Sequence, residues 1–249
     1  MPVNAVYRVE YNRPIARDVF LMRLSGPTDP FVAPGQFVNI HIDGFYLRRP
    51  LSVCEVLEDG ILLIYKVMGR GTARMAMYAA GTQLDLLAGL GNGFTVSRAK
   101  GKKVVLTGGG CGVPPLYDIA KRLAKQDKAP AVVLGFNNIE DAFYKREFEA
   151  LGCQVHIATM DGTLGTEGTV IPVLETLDYD YYCTCGPQPM LAAVHALGVQ
   201  KGASGQLSFE ARMGCGFGAC YGCSCKTITG SKRICKEGPI LFSEEVTFS

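Results

Sequence analysis

A cysteine-rich stretch near the C-terminus is the feature that most constrains what this chain can fold into. Cys215, Cys220 and Cys223 follow the spacing C-x4-C-x2-C, and Cys235 follows after a gap of eleven residues. This spacing is typical of loops that bind a 2Fe-2S cluster of the plant ferredoxin kind, in which soft thiolate sulfur coordinates iron. Glycines alternate with the cysteines and permit a tight loop whose backbone N–H groups face the cluster. The sequence therefore predicts a small lobe folded around a cluster.

Two alternatives to this ligand set remain open. Cys225 lies closer to the first three cysteines than Cys235 does, and either thiol could be the fourth ligand. A C-x-C pair in a strand directs its side chains to opposite faces, which favours Cys235. A structural zinc site also uses four thiolates, but zinc sites more often contain two C-x2-C pairs, whereas this stretch contains one. The zinc alternative implies a different class of function, a non-enzymatic zinc or redox-sensing module.

Composition and charge argue against several classes of function. The formal net charge is only +2, and no basic cluster is longer than Arg48-Arg49 or Lys102-Lys103, so the chain offers no footprint for nucleic acid or an acidic membrane. Residues 1–10 lack the apolar run of a signal peptide, and no stretch has the length of a membrane span. We therefore expect a cytoplasmic protein whose ten cysteines are not paired as disulfides.

The first part of the chain has the pattern of an antiparallel β-barrel. Short apolar segments follow turn residues, as in 37–42 after Pro34-Gly35 and 61–65 after Asp59-Gly60. A polar, flexible stretch at 97–101 precedes a change of pattern. We therefore expect a barrel domain over residues 1–97.

From Lys102 the pattern becomes strand, glycine turn and helix. An apolar strand at 104–107 leads into a run of three glycines and then into a helical segment that ends near Ala124. Further strands are expected at 131–136, 155–158 and 181–184. Strands that alternate with helices indicate a parallel sheet, which we assign to residues 98–205, with the cysteine lobe in 206–249.

Two loops in this second domain suit a dinucleotide. Gly109 and Gly110 follow a strand and open a helix, where backbone amides can receive a pyrophosphate. The run departs from G-x-G-x-x-G because its last position is Val113, so a plain strand-to-helix turn is the alternative. Cys185-Gly186 also follows a strand and is expected at the same carboxyl edge of the sheet.

The predicted barrel carries two further candidate elements. In Arg49-Pro50-Leu51-Ser52, the guanidinium suits a diphosphate and the hydroxyl suits a ring nitrogen. Gly71-Thr72 offers a turn and a hydroxyl for a phosphate. Each element taken alone could also be ordinary surface.

Taken in order, these motifs resemble the ferredoxin reductase family across essentially the whole chain. With the segment Glu210 to Cys215 and the cluster, the chain is similar within that family to the electron-transfer subunits of NAD-linked (class 1B) dihydroorotate dehydrogenases. The resemblance implies FAD at the barrel, a 2Fe-2S cluster at the C-terminal lobe and NAD at the parallel sheet. The residues that it assigns to FAD are Arg49 near the diphosphate, Pro50, Leu51, Ser52 near flavin N5, Ile64, Tyr65 and Lys66 along the flavin or adenine, and Gly71 and Thr72 at a phosphate.

The same resemblance implies further details of the flavin and nucleotide sites. Many reductases of this family carry a stacking Tyr at the position of Leu51, and Tyr65 is the expected substitute here. Cys185 is expected to approach the nicotinamide. NAD rather than NADP is favoured because Phe136-Asn137-Asn138 lacks an Arg for a 2′-phosphate. Glu140 or Asp141 could hold the ribose hydroxyls, or serve as acids at a helix N-terminus.

The implied reaction involves two proteins. A catalytic FMN-containing partner oxidises dihydroorotate to orotate, and electrons pass through the cluster and FAD to NAD+, in a heterotetramer of two subunits each. The chain has no room for the (β/α)8 barrel of such a partner. Electron-transfer subunits of a sulfide dehydrogenase or of an NADH-dependent ferredoxin:NADP oxidoreductase share the cofactors and are the alternatives.

Overall fold

Six antiparallel strands form a closed barrel in the N-terminal part of the protein, seen in a computed structural model that describes residues 2–126 and 129–248. The strands are β1 (Val3–Ala16), β2 (Val19–Ser25), β3 (Phe37–Ile40), β4 (Arg49–Val56), β5 (Gly60–Lys66) and β6 (Gln83–Leu90), in the order β1-β2-β5-β4-β3-β6. A short helix, α1 (Arg70–Ala76), links β5 to β6. In β6 every second residue, starting at Leu84, is buried, as expected for a strand with one face in a core. This barrel agrees with the sequence-based prediction.

A seven-stranded sheet follows the barrel. Its strands are β7 (Val104–Gly109), β8 (Ala131–Phe136), β9 (Gln154–Thr159), β10 (Thr166–Glu167), β11 (Tyr181–Cys185), β12 (Ser204–Ser208) and, after the cysteine lobe, β15 (Ile240–Phe242), in the order β10-β9-β8-β7-β11-β12-β15. All neighbouring pairs are parallel except β12 and β15. The helices are α2 (Pro114–Gln126), α3 (Lys145–Ala150), α4 (Ile171–Thr176) and α5 (Gln188–Gln200). The predicted parallel sheet is confirmed.

The barrel and the sheet share one apolar core. Cys54 and Ile64 from the barrel lie in the same buried cluster as Leu116 of α2 and Tyr144 beside α3. Lys121 of α2 forms an ion pair with the mostly buried Glu55 of β4 across this contact. Burial of apolar area stabilises such a contact by ~25 cal/mol per Å². The two domains are therefore packed against each other at the base of the cleft, and this contact fixes their relative position.

The cysteine lobe lies between the last two strands of the sheet. It contains one hairpin, β13 (Ser224–Thr227) with β14 (Gly230–Arg233). The expected boundary between residues 205 and 206 falls inside β12, and β15 returns to pair with β12. The lobe proper is thus the excursion 209–239, and the residues on both sides of it belong to the sheet. None of the helices in the described part of the chain has the length and apolarity needed to span a bilayer.

Candidate functional site

The four predicted cluster ligands lie together in the lobe, in two pairs. Cys223 and Cys235 have their sulfur atoms 3.2 Å apart and are both buried. The Cys220 thiol is hydrogen-bonded to Cys215, and both side chains lie at the surface. Within 2–126 and 129–248, no three His, Cys, Asp or Glu side chains are arranged around a single metal ion. The four thiols are arranged in two pairs, and four Cys thiolates are the usual ligands of a 2Fe-2S cluster.

Backbone N–H groups of the loop converge on Cys215. Ala219 N and Cys220 N lie 3.3 Å and 3.5 Å from Cys215 Sγ. Partial burial alone would raise the pKa of this thiol, but the N–H groups of Cys220, Phe217 and Ala219 outweigh burial and lower the pKa to about 6. Hydrogen bonds that stabilise a thiolate prepare the residue for metal ligation, because the thiolate is the ligand form of cysteine.

Cys235, rather than Cys225, completes the thiol set. Burial and the neighbouring Cys223 thiol raise the pKa of Cys235 to about 12, and the Gly218 N–H opposes this increase. Bound iron would displace the proton, because metal ligands bind deprotonated. Cys225 lies within β13 opposite Lys232, and its pKa is raised mainly by burial. The 3.2 Å contact with Cys223 therefore favours Cys235, whereas the alternation argument does not apply because Cys223 precedes β13.

Arg233 contacts the cysteine loop on its outer side. Its Nη1 donates to the carbonyl of Gly218 at 2.6 Å, and its guanidinium pairs with Glu237. The Tyr221 ring lies 4.6 Å from the guanidinium carbon. The ion pair with Arg233 lowers the pKa of Glu237 to about 2. This arrangement ties the loop to the turn after β14, which carries Cys235.

The predicted flavin residues form a half-buried strip on β4. Arg49, Pro50, Leu51 and Ser52 are all partly accessible. A Cβ at Gly71 would lie 2.6 Å from Arg49 Nε, so this glycine permits the close approach of the guanidinium. The structure therefore brings together the two elements that the sequence assigned to a diphosphate.

Two residues of the predicted flavin set face the barrel interior. The Tyr65 ring is 1 % exposed, stacks on Phe20 with centroids 5.8 Å apart, and donates through its hydroxyl to Asn12 at 3.0 Å. Burial raises the pKa of Tyr65 to about 12. Leu51 packs against the same core. The Tyr65 side chain is thus part of the barrel core, and any contact of this residue with a ligand involves its backbone.

The remaining predicted flavin contacts have partners within the protein. Thr72 Oγ1 accepts from the backbone N–H groups of Met68 at 2.9 Å and Gly69 at 3.2 Å, where it caps α1. Ile64 is buried in the core shared by the two domains. Lys66 points across the cleft to Asp141, with Nζ 3.4 Å from Oδ1. Lys66 therefore lies at the nucleotide side of the cleft rather than along the β4 strip.

A cavity of about 460 Å³ opens at the carboxyl edge of the parallel sheet. Its wall combines the predicted loop residues Gly109 and Gly110 with residues that follow the next two strands and with the barrel residue Lys66. Pro187 and Met190, at the start of α5, close the other side. A cavity at this edge, beside a helix N-terminus, is the usual place for a nucleotide in an α/β sheet.

Cys185 and Gly186 lie behind this wall. Cys185 is buried at 3 % exposure, and burial raises its pKa to about 12. A Cβ at Gly186 would lie 2.9 Å from the Met190 sulfur and 3.2 Å from Gly109 N, so the two predicted loops touch. Cys111, on the exposed side of the same loop, lines the cavity. The structure therefore brings the two loops together, with Gly109 and Gly110 at the cavity and Cys185 and Gly186 behind them.

Glu210 lies two residues after β12 and has no role in the sequence-based assignment. Its charge acts on both Cys111 and Cys185, which places it near them. Its side chain is accessible to solvent, yet the surrounding protein atoms reduce its hydration and raise its pKa. An acid beside the glycine loop, directly after β12, could have been suspected from topology.

Asp141 joins the barrel to the nucleotide cavity. Its buried carboxylate accepts from Asn137 Nδ2 at 3.2 Å and pairs with Lys66 at 3.4 Å and Arg17 at 3.1 Å. Arg17 also lies 2.7 Å from Glu140. Glu140 and Asp141 lie in the first turn of a short 3-10 helix, as one of the two alternatives expected, and both also pair with barrel cations. The segment Phe136–Asn138 has no Arg of its own, but the fold places the Arg17 guanidinium 3.4 Å from Asn138.

Sequence comparison shows which proteins this chain is similar to. Residues 210–247 match the family model for the iron-sulfur cluster binding domain of dihydroorotate dehydrogenase B. The dihydroorotate dehydrogenase B (NAD(+)) electron transfer subunit of Fusobacterium nucleatum is 40 % identical over 257 residues, covering 96 % of each chain. The subunit of the same name from a Geobacillus species is 40 % identical and covers 94 % of this chain and 95 % of its own.

Solved structures agree on the fold. The structure of an NADH-dependent reduced ferredoxin-NADP oxidoreductase matches 99 % of this chain and 91 % of its own, with a TM-score of 0.85 and 26 % identity. A ferredoxin NADP+ reductase from Neisseria gonorrhoeae, with bound FAD and NADP, matches 80 % of this chain and 92 % of its own, with a TM-score of 0.69 and 16 % identity. The chain belongs to the family of dihydroorotate dehydrogenase B (NAD(+)) electron transfer subunits.

Proposed function

We propose that this protein carries electrons from dihydroorotate, oxidised on an FMN-containing catalytic partner, through a 2Fe-2S cluster and FAD to NAD+, as a step of pyrimidine biosynthesis. The observation that carries the proposal is the set of two thiol pairs in a loop packed on the barrel, next to a cleft that ends in a nucleotide cavity. The family to which the chain belongs supports the same function.

The pairing of the four cysteine thiols indicates which residues would bind each iron. Cys215 and Cys220 would hold one iron, and Cys223 and Cys235 would hold the other. The N–H groups around Cys215 supply hydrogen bonds to sulfur, and these raise the reduction potential of such a centre.

The flavin and the nucleotide bind on the two sides of the cleft. Arg49 binds the FAD diphosphate with the Gly71-Thr72 turn, and Pro50 and Ser52 line the flavin. Gly109 and Gly110 receive the NAD pyrophosphate, with Cys185 and Gly186 supporting the loop from behind. When bound, the flavin exchanges electrons singly with the cluster and in pairs, as hydride, with the nicotinamide.

The proposed units correspond to 1–97 for FAD, 98–205 for NAD and 206–249 for the cluster, with the addition that β12 and β15 anchor the last unit in the sheet. Two copies of this chain assemble with two catalytic subunits, and the complex works in the cytoplasm. The ten free cysteines are consistent with a reducing compartment.

A second partner class is supported by the similarity to the NADH-dependent reduced ferredoxin-NADP oxidoreductase structure. Co-expression with a dihydroorotate-oxidising FMN subunit distinguishes the two. A stable complex with a mass of two subunits each, which reduces NAD+ with dihydroorotate, supports the first proposal. A chain that forms no complex with that subunit contradicts it.

The first test is an anaerobic visible absorption spectrum of the purified protein, before and after NADH, with iron, sulfide and zinc determined on the same sample. We expect flavin bands superimposed on iron-sulfur absorption, and bleaching on addition of NADH. A colourless protein that contains zinc contradicts the electron-transfer function and supports the binding-module alternative.

A further inference from the structure

The outer face of β3 separates the cluster lobe from the proposed flavin strand. Val38 and Ile40 point into the barrel core, so their neighbours Phe37 and Asn39 point outward. Phe37 packs in the same apolar cluster as the ligand Cys235. The outward face of this one strand is therefore covered by the cysteine lobe.

On its other side β3 pairs with β4. Asn39 is opposite Pro50, and Phe37 is opposite Ser52. Neighbouring strands lie about 4.8 Å apart, and directly opposed residues share a face of the sheet. Asn39 is thus in contact with the cluster lobe and one strand spacing from the residues that line the flavin site.

Asn39 meets the cluster loop at Gly216, the residue after Cys215. Gly216 has φ +80, and a Cβ at this position would lie 2.5 Å from Asn39 Nδ2. Both the left-handed backbone and this close approach require glycine at position 216. The loop is therefore shaped around the Asn39 side-chain NH2 group.

The buried side-chain amide of Asn39 destabilises the folded protein, because one of its polar atoms has no partner among the described residues. Asn39 is 1 % exposed, and in the described part of the chain its Oδ1 has no hydrogen-bond partner. An unpaired buried polar group costs about 1–3 kcal/mol, and an apolar side chain of the same branched shape would avoid that cost. Unsatisfied groups that persist in a core are commonly tied to function.

We propose that Asn39 is a positioning residue for the cluster: its side chain packs against the Gly216 turn, and its NH2 group provides a hydrogen-bond donor on the Cys215 side of the centre. The inference rests on the proposed 2Fe-2S function. A donor near the cluster sulfurs stabilises the reduced, more negative state and so raises the reduction potential.

The test is an EPR-monitored redox titration of the holoprotein, with iron content measured on each sample. Asn39→Leu removes the donor and retains the branched shape of the side chain. We expect the equilibrium constant for one-electron reduction of the cluster to fall about three- to tenfold, where tenfold corresponds to 59 mV. Asn39→Asp replaces the donor with a carboxylate and should lower the potential further. Each variant should also change the EPR g-values.

Val38→Ala is the matched control, because its side chain points into the barrel. It should lower thermal stability and leave the potential and the g-values unchanged. If Asn39→Leu fails to fold, the reduction potential of Asn39→Asp alone tests the role of Asn39. Potentials and spectra that match the wild type in an iron-replete variant overturn the role of Asn39. A wild-type protein without iron or an EPR signal instead overturns the cluster proposal itself.

Discussion

Lys66 of the barrel and Asp141 of the nucleotide-binding sheet face each other across the cleft, with Nζ and Oδ1 3.4 Å apart. Arg17 approaches the same oxygen at 3.1 Å, so one buried carboxylate holds two cations from the other domain. These contacts lie at the wall of the nucleotide cavity. The alignment of the two cofactor sites is therefore coupled to a single acidic side chain.

Replacing that acid tests the coupling. Asp141→Asn leaves two cations without their buried partner and should destabilise the protein by about 2 kcal/mol. We expect the KM for NADH to rise about fivefold in an assay of NADH-dependent reduction of an artificial acceptor, with a smaller effect on kcat. Glu140→Gln is the control, because Glu140 contacts the same Arg17 but is 65 % exposed. Equal effects of the two substitutions contradict the role of Asp141.

Two serine variants separate the candidate fourth ligands. Cys235→Ser should abolish the iron-sulfur absorption and leave less than a tenth of the iron, because the sulfur that pairs with Cys223 is lost. Cys225→Ser should retain full iron and the wild-type spectrum. Both are measured on protein purified without oxygen. Loss of the cluster in the Cys225 variant alone would reverse the assignment.

Gly110 is the loop glycine that faces the cavity most openly. It has φ +51, and a Cβ there meets no protein atom within 4 Å, so alanine strains the backbone and enters the space reserved for the nucleotide. Gly110→Ala should cost about 1 kcal/mol of stability and raise the Kd for NADH about tenfold, as measured by calorimetry. Gly202→Ala, at φ +67 with the same open surroundings, controls for strain alone. It should not change NADH binding.

The stability of the protein should depend on pH through His195. Burial lowers the pKa of this imidazole, whose Nδ1 lies 2.9 Å from the Tyr182 hydroxyl. The unfolded chain therefore binds a proton more readily than the folded one, so stability is complete above pH ~6.5 and decreases as the pH falls below this value. Thermal denaturation should show a smaller loss between pH 7.5 and 5.5 in His195→Gln than in the wild type. If His195→Gln and the wild type lose the same stability between pH 7.5 and 5.5, His195 is not the group responsible.

Local sequence patterns were sufficient to predict both main architectures. The strand at 131–136 was predicted with the bounds that β8 has, because an apolar run flanked by a proline and by polar residues leaves little choice. The cysteine spacing likewise indicated a compact loop, because only a tight turn brings Cys215 and Cys220 together.

Contacts between distant segments could not be predicted from the sequence. Arg17 and Asp141 are more than a hundred residues apart, and only the packing of the two domains brings them together. The inward orientation of Tyr65 depends on the register of β5 in a closed barrel, and a slip of one residue reverses it. The expected boundary at 205 falls inside β12, and the return of the chain to this strand could not be predicted, because β15 has only three residues and pairs with a strand more than thirty residues earlier.

The two ends of the cysteine lobe meet in the sheet, where Ser208 pairs directly with Ile240. Residues 209–239 therefore leave and re-enter the structure within about 5 Å. An excursion of this kind can be added to or removed from a parent fold without redirecting the rest of the chain. A flavin reductase could thus have gained its one-electron centre in a single insertion between β12 and the edge strand β15, and the segment is a natural unit for grafting onto other reductases.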